Sequence, residues 1–213
     1  MTRDSAPELL ALHAVRIVGF ADTAALARRF ALDPAQTQET LLDAEARGWV
    51  GRATFADLSG WSLTESGRAQ DERLLAAELD AIGGHDEVRD VHRAFLPLNA
   101  RLQQACTHWQ LRPTAGDRLA PNDHTDAAWD DGVLDELATV ERGLDPLAER
   151  LARLLTRFDG YAARFARARR RARAGEGRWV DGTDIDSCHR VWFELHEDLI
   201  ATLGIDRRAA LGT

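Results

Sequence analysis

The second half of this 213-residue chain gathers side chains that could line a site. Trp109, Asn122, His124, Tyr161, His189, Trp192 and His196 fall at helix ends or on amphipathic stretches. Aromatic walls with a few convergent polar groups are what a small-molecule pocket needs, so these seven are the candidate ligand-binding residues. The bland alternative is that the tryptophans fill a core and the histidines are hydrogen-bonded core or surface residues. Metal chemistry finds no support. His189 and His196 share a helix face but lie about 10.5 Å apart along its axis, too far to ligate one ion. No His-x3-His pair exists, and His196-Glu197-Asp198 lacks the second histidine of a zinc-hydrolase helix. No glycine-framed serine and no phosphate-cradling glycine loop occurs either. Cys188 and His189 are neighbours, which on a helix point about 100° apart and form no dyad. No catalytic, metal or cofactor site is therefore assigned, and an enzyme is the less favoured class. Acid–base work by His124, His189 or His196 beside a carboxylate stays open.

The elements that must position these residues are mostly helical. An apolar stripe from Glu8 to Val18 predicts a first helix. Asp22-Thr23 caps a second, and Asp33-Pro34 opens a third that Gly48 ends. Val50–Phe55 and Trp61–Leu63 read as a hairpin with its turn at Asp57-Leu58-Ser59-Gly60. Thr64 caps the next helix, and Gly83-Gly84 marks a boundary. Beyond it, a helix runs from Glu87 to Gln110 with a kink expected at Pro97. A loop follows from Leu111 to Asn122. The next helix starts after Thr125 or Asp126 and is interrupted near Gly143. Another restarts at Asp145-Pro146 and runs to the arginine-rich stretch before Gly175, and a last one runs from about Ser187 to Gly204.

The first of these stretches resembles a known family. Leu26-Ala27, Asp33-Pro34, Glu45-Ala46-Arg47-Gly48-Trp49-Val50 and Trp61-Ser62-Leu63-Thr64-Glu65-Ser66-Gly67-Arg68 look like the winged-helix domain of MarR-type bacterial regulators. Leucine-threonine-x-x-glycine-arginine after a short hairpin is the most specific piece. The resemblance covers roughly residues 7–80. It implies a winged helix-turn-helix domain with a two-stranded wing over residues 1–82, and the helical spacing beyond Gly83-Gly84 makes 83–213 an α-helical ligand-binding or dimerisation domain, so a mainly α fold is expected. The resemblance also implies a DNA-binding transcription regulator, a homodimer that reads double-stranded DNA and responds to a small-molecule ligand. Its third helix would enter the major groove. Gln36 and Gln38 suit adenine edges there, with Arg28, Arg29 and Arg52 on phosphates.

Charge pulls the other way. The chain carries a formal −8, and residues 1–80 hold 8 arginines against 13 acids. Cations on phosphates supply most of the affinity for DNA, and Glu39 and Asp43 on the third helix oppose it. A winged helix that docks onto a protein partner without touching DNA is thus the alternative, and a small enzyme using the C-terminal pocket is the third. Arg164, Arg167, Arg169, Arg170, Arg171, Arg173 and Arg178 form either a phosphate strip or an ion-pair face, and in an acidic chain the ion-pair face is favoured. No apolar run of about 18 residues exists, so no membrane span is expected. Cys106 and Cys188 allow a single disulfide, but two buried free thiols are favoured, and with no secretory signal a cytoplasmic protein is expected.

Overall fold

Proline and acidic caps set where the first helices begin. The computed structural model of the chain describes residues 2–55 and 58–205. Helix α1 spans Pro7–Val18, with proline in its first turn, where the missing N–H costs nothing. Asp22 caps α2 (Thr23–Arg29) by accepting from the Ala25 N–H. Asp33 caps α3 (Pro34–Ala46) by accepting from the Gln36 N–H. Strands β1 (Val50–Phe55) and β2 (Leu58–Leu63) pair antiparallel, with Arg52 opposite Trp61. Leu58, Ser59 and Gly60, expected in the turn, belong to β2, and Asp57 lies outside the described residues. Thr64 caps α4 (Glu65–Ile82), which ends on left-handed Gly83.

The remaining helices are α5 (His85–Gln110), α6 (Ala127–Ala152), α7 (Tyr161–Arg173), a four-residue α8 (Arg178–Asp181) and α9 (Cys188–Leu203). The protein is therefore mainly helical, with one two-stranded antiparallel sheet among the described residues. No described helix is long and apolar enough to cross a membrane.

Two expectations about the later helices fail. Gly143 does not interrupt a helix, and Pro146 does not start one, because α6 runs through both. A Cβ at Gly143 would come within 2.7 Å of Leu98 Cδ2, the movable end of that side chain, so the glycine lets α6 pass close to Leu98. Pro146, like Pro97 within α5, lies on an exposed side, where water can take up the carbonyl left without an N–H. The long helix expected from residue 145 to the arginine-rich stretch is instead broken by a 3-10 turn at Thr156–Phe158 and by Gly160 at φ +86°.

The chain folds as two compact units. Unit one takes in Met1–Arg89, Arg153–Arg157 and the chain from Glu194 onward. Unit two takes in Asp90–Ala152 and Phe158–Phe193. This differs from a single cut after residue 82, and the reason is electrostatic, as described below. The core of unit one gathers Leu12, Val15, Leu26, Leu41, Val50 and Trp61. In unit two, Trp192 stacks on Phe95 at 4.5 Å, meets the edge of Phe165 at 5.7 Å, and donates from Nε1 to Asn99 Oδ1.

The join of hairpin to α4 depends on a glycine. A Cβ on Gly67 would lie 1.8 Å from the Trp49 carbonyl oxygen, a backbone atom that cannot swing aside. Gly67→Ala should therefore destabilise the protein by roughly 3 kcal/mol or more, the scale of a severe backbone or packing clash. Urea unfolding followed by tryptophan fluorescence checks this, and an unchanged midpoint would refute the close approach.

Candidate functional site

The outward face of α3 is the first candidate. Thr37, Leu41 and Ala44 are buried as the helical spacing predicts, while Gln36, Glu39, Asp43 and Arg47 are exposed. The five expected DNA contacts fare unequally. Arg28 and Gln36 are exposed and open to solvent. Arg29 is almost entirely buried, paired through Nε to Glu194 at 3.0 Å and laid over Phe30. Gln38 is drawn inward: Trp61 Nε1 donates to Thr23 Oγ1, which in turn donates to Gln38 Oε1 at 2.5 Å. This relay ties α2, α3 and β2 together, so the carboxamide oxygen is committed to the fold. Arg52 is half exposed, but it pairs with Glu45 at 2.7 Å and covers the Trp61 ring. Charge neutralised at the surface is poorly placed to displace counterions from DNA.

The seven candidate ligand residues also divide. Trp109, Asn122 and His124 come together in unit two. Asn122 is buried and donates from Nδ2 to the Trp109 carbonyl and to Asp130 Oδ1 at 2.7 Å. His124 Nδ1 donates to Asp130 Oδ2 at 2.9 Å, and its ring lies 4.5 Å from that of Trp109. His124 holds a left-handed backbone at φ +58°, uncommon for a residue with a side chain. Trp109, His124 and Asp130, though not Asn122, border an open cavity of about 510 Å³ that also meets Leu134, Ala172 and Asp181. Tyr161 and Trp192 do not border this cavity. Both are fully packed core residues, so the bland reading holds for them. His189 is exposed on α9, and His196 belongs to unit one.

The arginine-rich stretch is an ion-pair face, as its acidic surroundings suggested. Arg164 pairs with Asp186, Arg169 with Glu141, Arg171 with Glu176, Arg173 with Asp131 and Asp135, and Arg178 with Asp184. Both cysteines are free and buried, and burial pushes their thiols up, to about 12 for Cys106. Thiols so held are poor nucleophiles.

Sequence reading missed a buried charge cluster in unit one. Arg157, at the 3-10 turn, is fully buried and reaches Glu78 at 3.1 Å, Asp198, and Thr202 Oγ1 at 2.8 Å. His13, likewise without exposure, donates from Nδ1 to Asp71 at 3.3 Å. Its Nε2 lies 3.1 Å from Asp198, close enough for an ion pair though off line for a hydrogen bond. Arg16 joins Glu72 at 2.7 Å and Glu197 at 2.9 Å. A signal was available: from Ala11 to Ile17 the helix is apolar on every side except for His13 and Arg16, and all seven residues are buried. A polar group in such a helix needs a buried partner of opposite charge. Asp71 and Glu72 of α4, with Glu197 and Asp198 of α9, answer it.

No protein-family model, curated protein or solved structure matches this chain.

The cluster makes stability depend on pH. Burial alone would push the His13 pKa down, but Asp71 and Asp198 outweigh it and raise the value to about 9. Burial would raise Asp198, but Arg157 and His13 hold its carboxyl far below the usual range. A raised histidine stabilises fully below its unfolded value near 6.5, and the benefit is lost as pH climbs through 9. Stability should thus fall between pH 6.5 and 9 by roughly 3 kcal/mol at most. His13→Gln should flatten that slope while lowering stability at pH 6. Urea midpoints across the range check both, and a wild-type profile level from pH 6.5 to 9 would contradict the buried imidazolium.

Proposed function

We propose that the chain is a DNA-binding transcription regulator of the MarR type, working as a homodimer, whose unit one is a winged helix-turn-helix. The observation that carries this reading is the order α1–α2–α3–β1–β2–α4, with α3 packed by one face and bare on the other. A helix held that way beside a hairpin suits insertion into a major groove. In this reading Gln36 touches base edges, and Arg28 and Arg47 touch phosphates, Arg47 taking a place that charge pairing denies to Arg29 and Arg52. The cavity in unit two supplies the effector site. Linkage requires that an effector raising or lowering DNA affinity has its own affinity changed by the same factor.

The salt dependence follows from the number of free cations. Arg28 and Arg47 in each of two heads make four phosphate contacts, so affinity should fall roughly 10²-fold between 50 and 200 mM salt. Fluorescence anisotropy with fragments of the upstream DNA measures it. Arg28→Ala should lower the magnitude of the salt slope by about 2, one contact per head. Absence of binding to every fragment at 50 mM salt would overturn the regulator.

Glu39 and Asp43, exposed on α3, favour a second reading in which this face docks onto a basic surface of a protein partner. A partner that co-purifies in equal amount, and is lost on Glu39→Arg/Asp43→Arg, is what that reading expects.

A further inference from the structure

We propose that the cavity of unit two binds a small organic cation with a flat apolar body, its positive group against Asp181 and its body against the indole of Trp109. The apolar surface comes from Trp109, Leu134 and Ala172. Gly177 keeps one wall low, since a Cβ there would stand 3.0 Å from Trp109 Cζ2. The volume of about 510 Å³ lies within the range of small-molecule sites.

Charge decides the sign of the ligand. Two carboxylates border the cavity, Asp130 and Asp181. Asp130 already accepts from Asn122 and His124. Asp181 is half-buried and makes no ion pair among the described residues; its partner is the neutral amide of Gln110, at 2.8 Å. A carboxylate partly withdrawn from water without a cation is the group a positive ligand would satisfy. The bordering arginines do not offset it. Arg173 is held by Asp131 and Asp135, and Arg178 by Asp184. Counting those partners, five carboxylates stand against two guanidinium groups around the cavity. An anion would have to break those pairs and face Asp181, whereas a cation breaks nothing.

The aromatic surface reinforces this. The rings of Trp109 and His124 lie 4.5 Å apart at 44°, and Asp130 fixes the imidazole. Cations are drawn to the negative face of an indole, most strongly where water is partly excluded.

The inference gives a chemical class to the effector of the proposed regulator and rests on that reading only for its regulatory meaning. Binding itself is measured without DNA, so either can fail alone. Isothermal titration of the full chain with benzyltrimethylammonium, and separately with benzoate, tests it. The cation should bind one to one and alter tryptophan fluorescence, and benzoate should give no heat at the same concentrations. Asp181→Asn retains the shape and a partner for Gln110, so it should fold as the wild type does, with the same thermal midpoint. It should weaken the cation about tenfold or more, the loss of one charge-assisted contact. Cation binding absent at millimolar concentration, benzoate binding as tightly, or a well-folded Asp181→Asn that binds like the wild type would each overturn the proposal. A cation that binds but leaves DNA affinity unchanged would sustain this site and remove its regulatory role.

Discussion

Unit one is organised around charges that cannot reach water. Arg157 and His13 carry no exposure, and neither does Asp198, which both approach. Each ion alone would cost several kcal/mol to bury, so the cluster is tolerable only when all its members are in place. That condition explains the discontinuous chain. The segments at 153–157 and from 194 onward belong with the first 89 residues because they bring Arg157, Glu194, Glu197 and Asp198 to partners on α1, α2 and α4. Apolar contact is added at Ala201, which packs with Leu9 and Leu75, but such contact accepts many registers. A buried ion pair accepts only its own partner.

The same appetite for arginine shapes the surface. Arg29 and Arg52 sit where a DNA reader would want them, yet each is engaged by a carboxylate within unit one. In unit two, five residues of the arginine-rich stretch are likewise paired. An acidic chain draws its cations into internal pairing, and those left for phosphate are few. Exposed pairs such as Arg178 with Asp184 contribute little to stability, so they matter more for local potential than for folding.

Unit two shows one residue type in two roles. Trp192 is enclosed by Phe95 and Phe165, with its N–H satisfied by Asn99, and serves the core. Trp109 is nearly as buried, yet it presents its ring to a cavity, between the imidazole of His124 and the glycine backbone at 177. Composition does not separate these roles. What separates them is whether the facing element ends in a bulky side chain or in glycine.

Much of the architecture was legible in the sequence because its signals act over a few residues. Asp22, Asp33 and Thr64 cap helices by accepting from N–H groups three positions on, and Gly48, Gly83 and Gly204 take left-handed backbone near helix ends. Trp109, Asn122 and His124, which the fold brings together, lie within 16 residues of one another. What the sequence could not decide are matters settled by distant partners. Arg29 reaches Glu194 across 165 positions, and Arg16 reaches Glu197 across 181. Those pairings take Arg29 out of the surface, and with Arg157 they explain why residues 153–157 and the end of α9 join unit one. The helix expected there is broken by a 3-10 turn at Thr156–Phe158 and by the left-handed Gly160. Local backbone chemistry is written in adjacent residues, but the cost of burying a charge depends on what the rest of the fold brings to meet it.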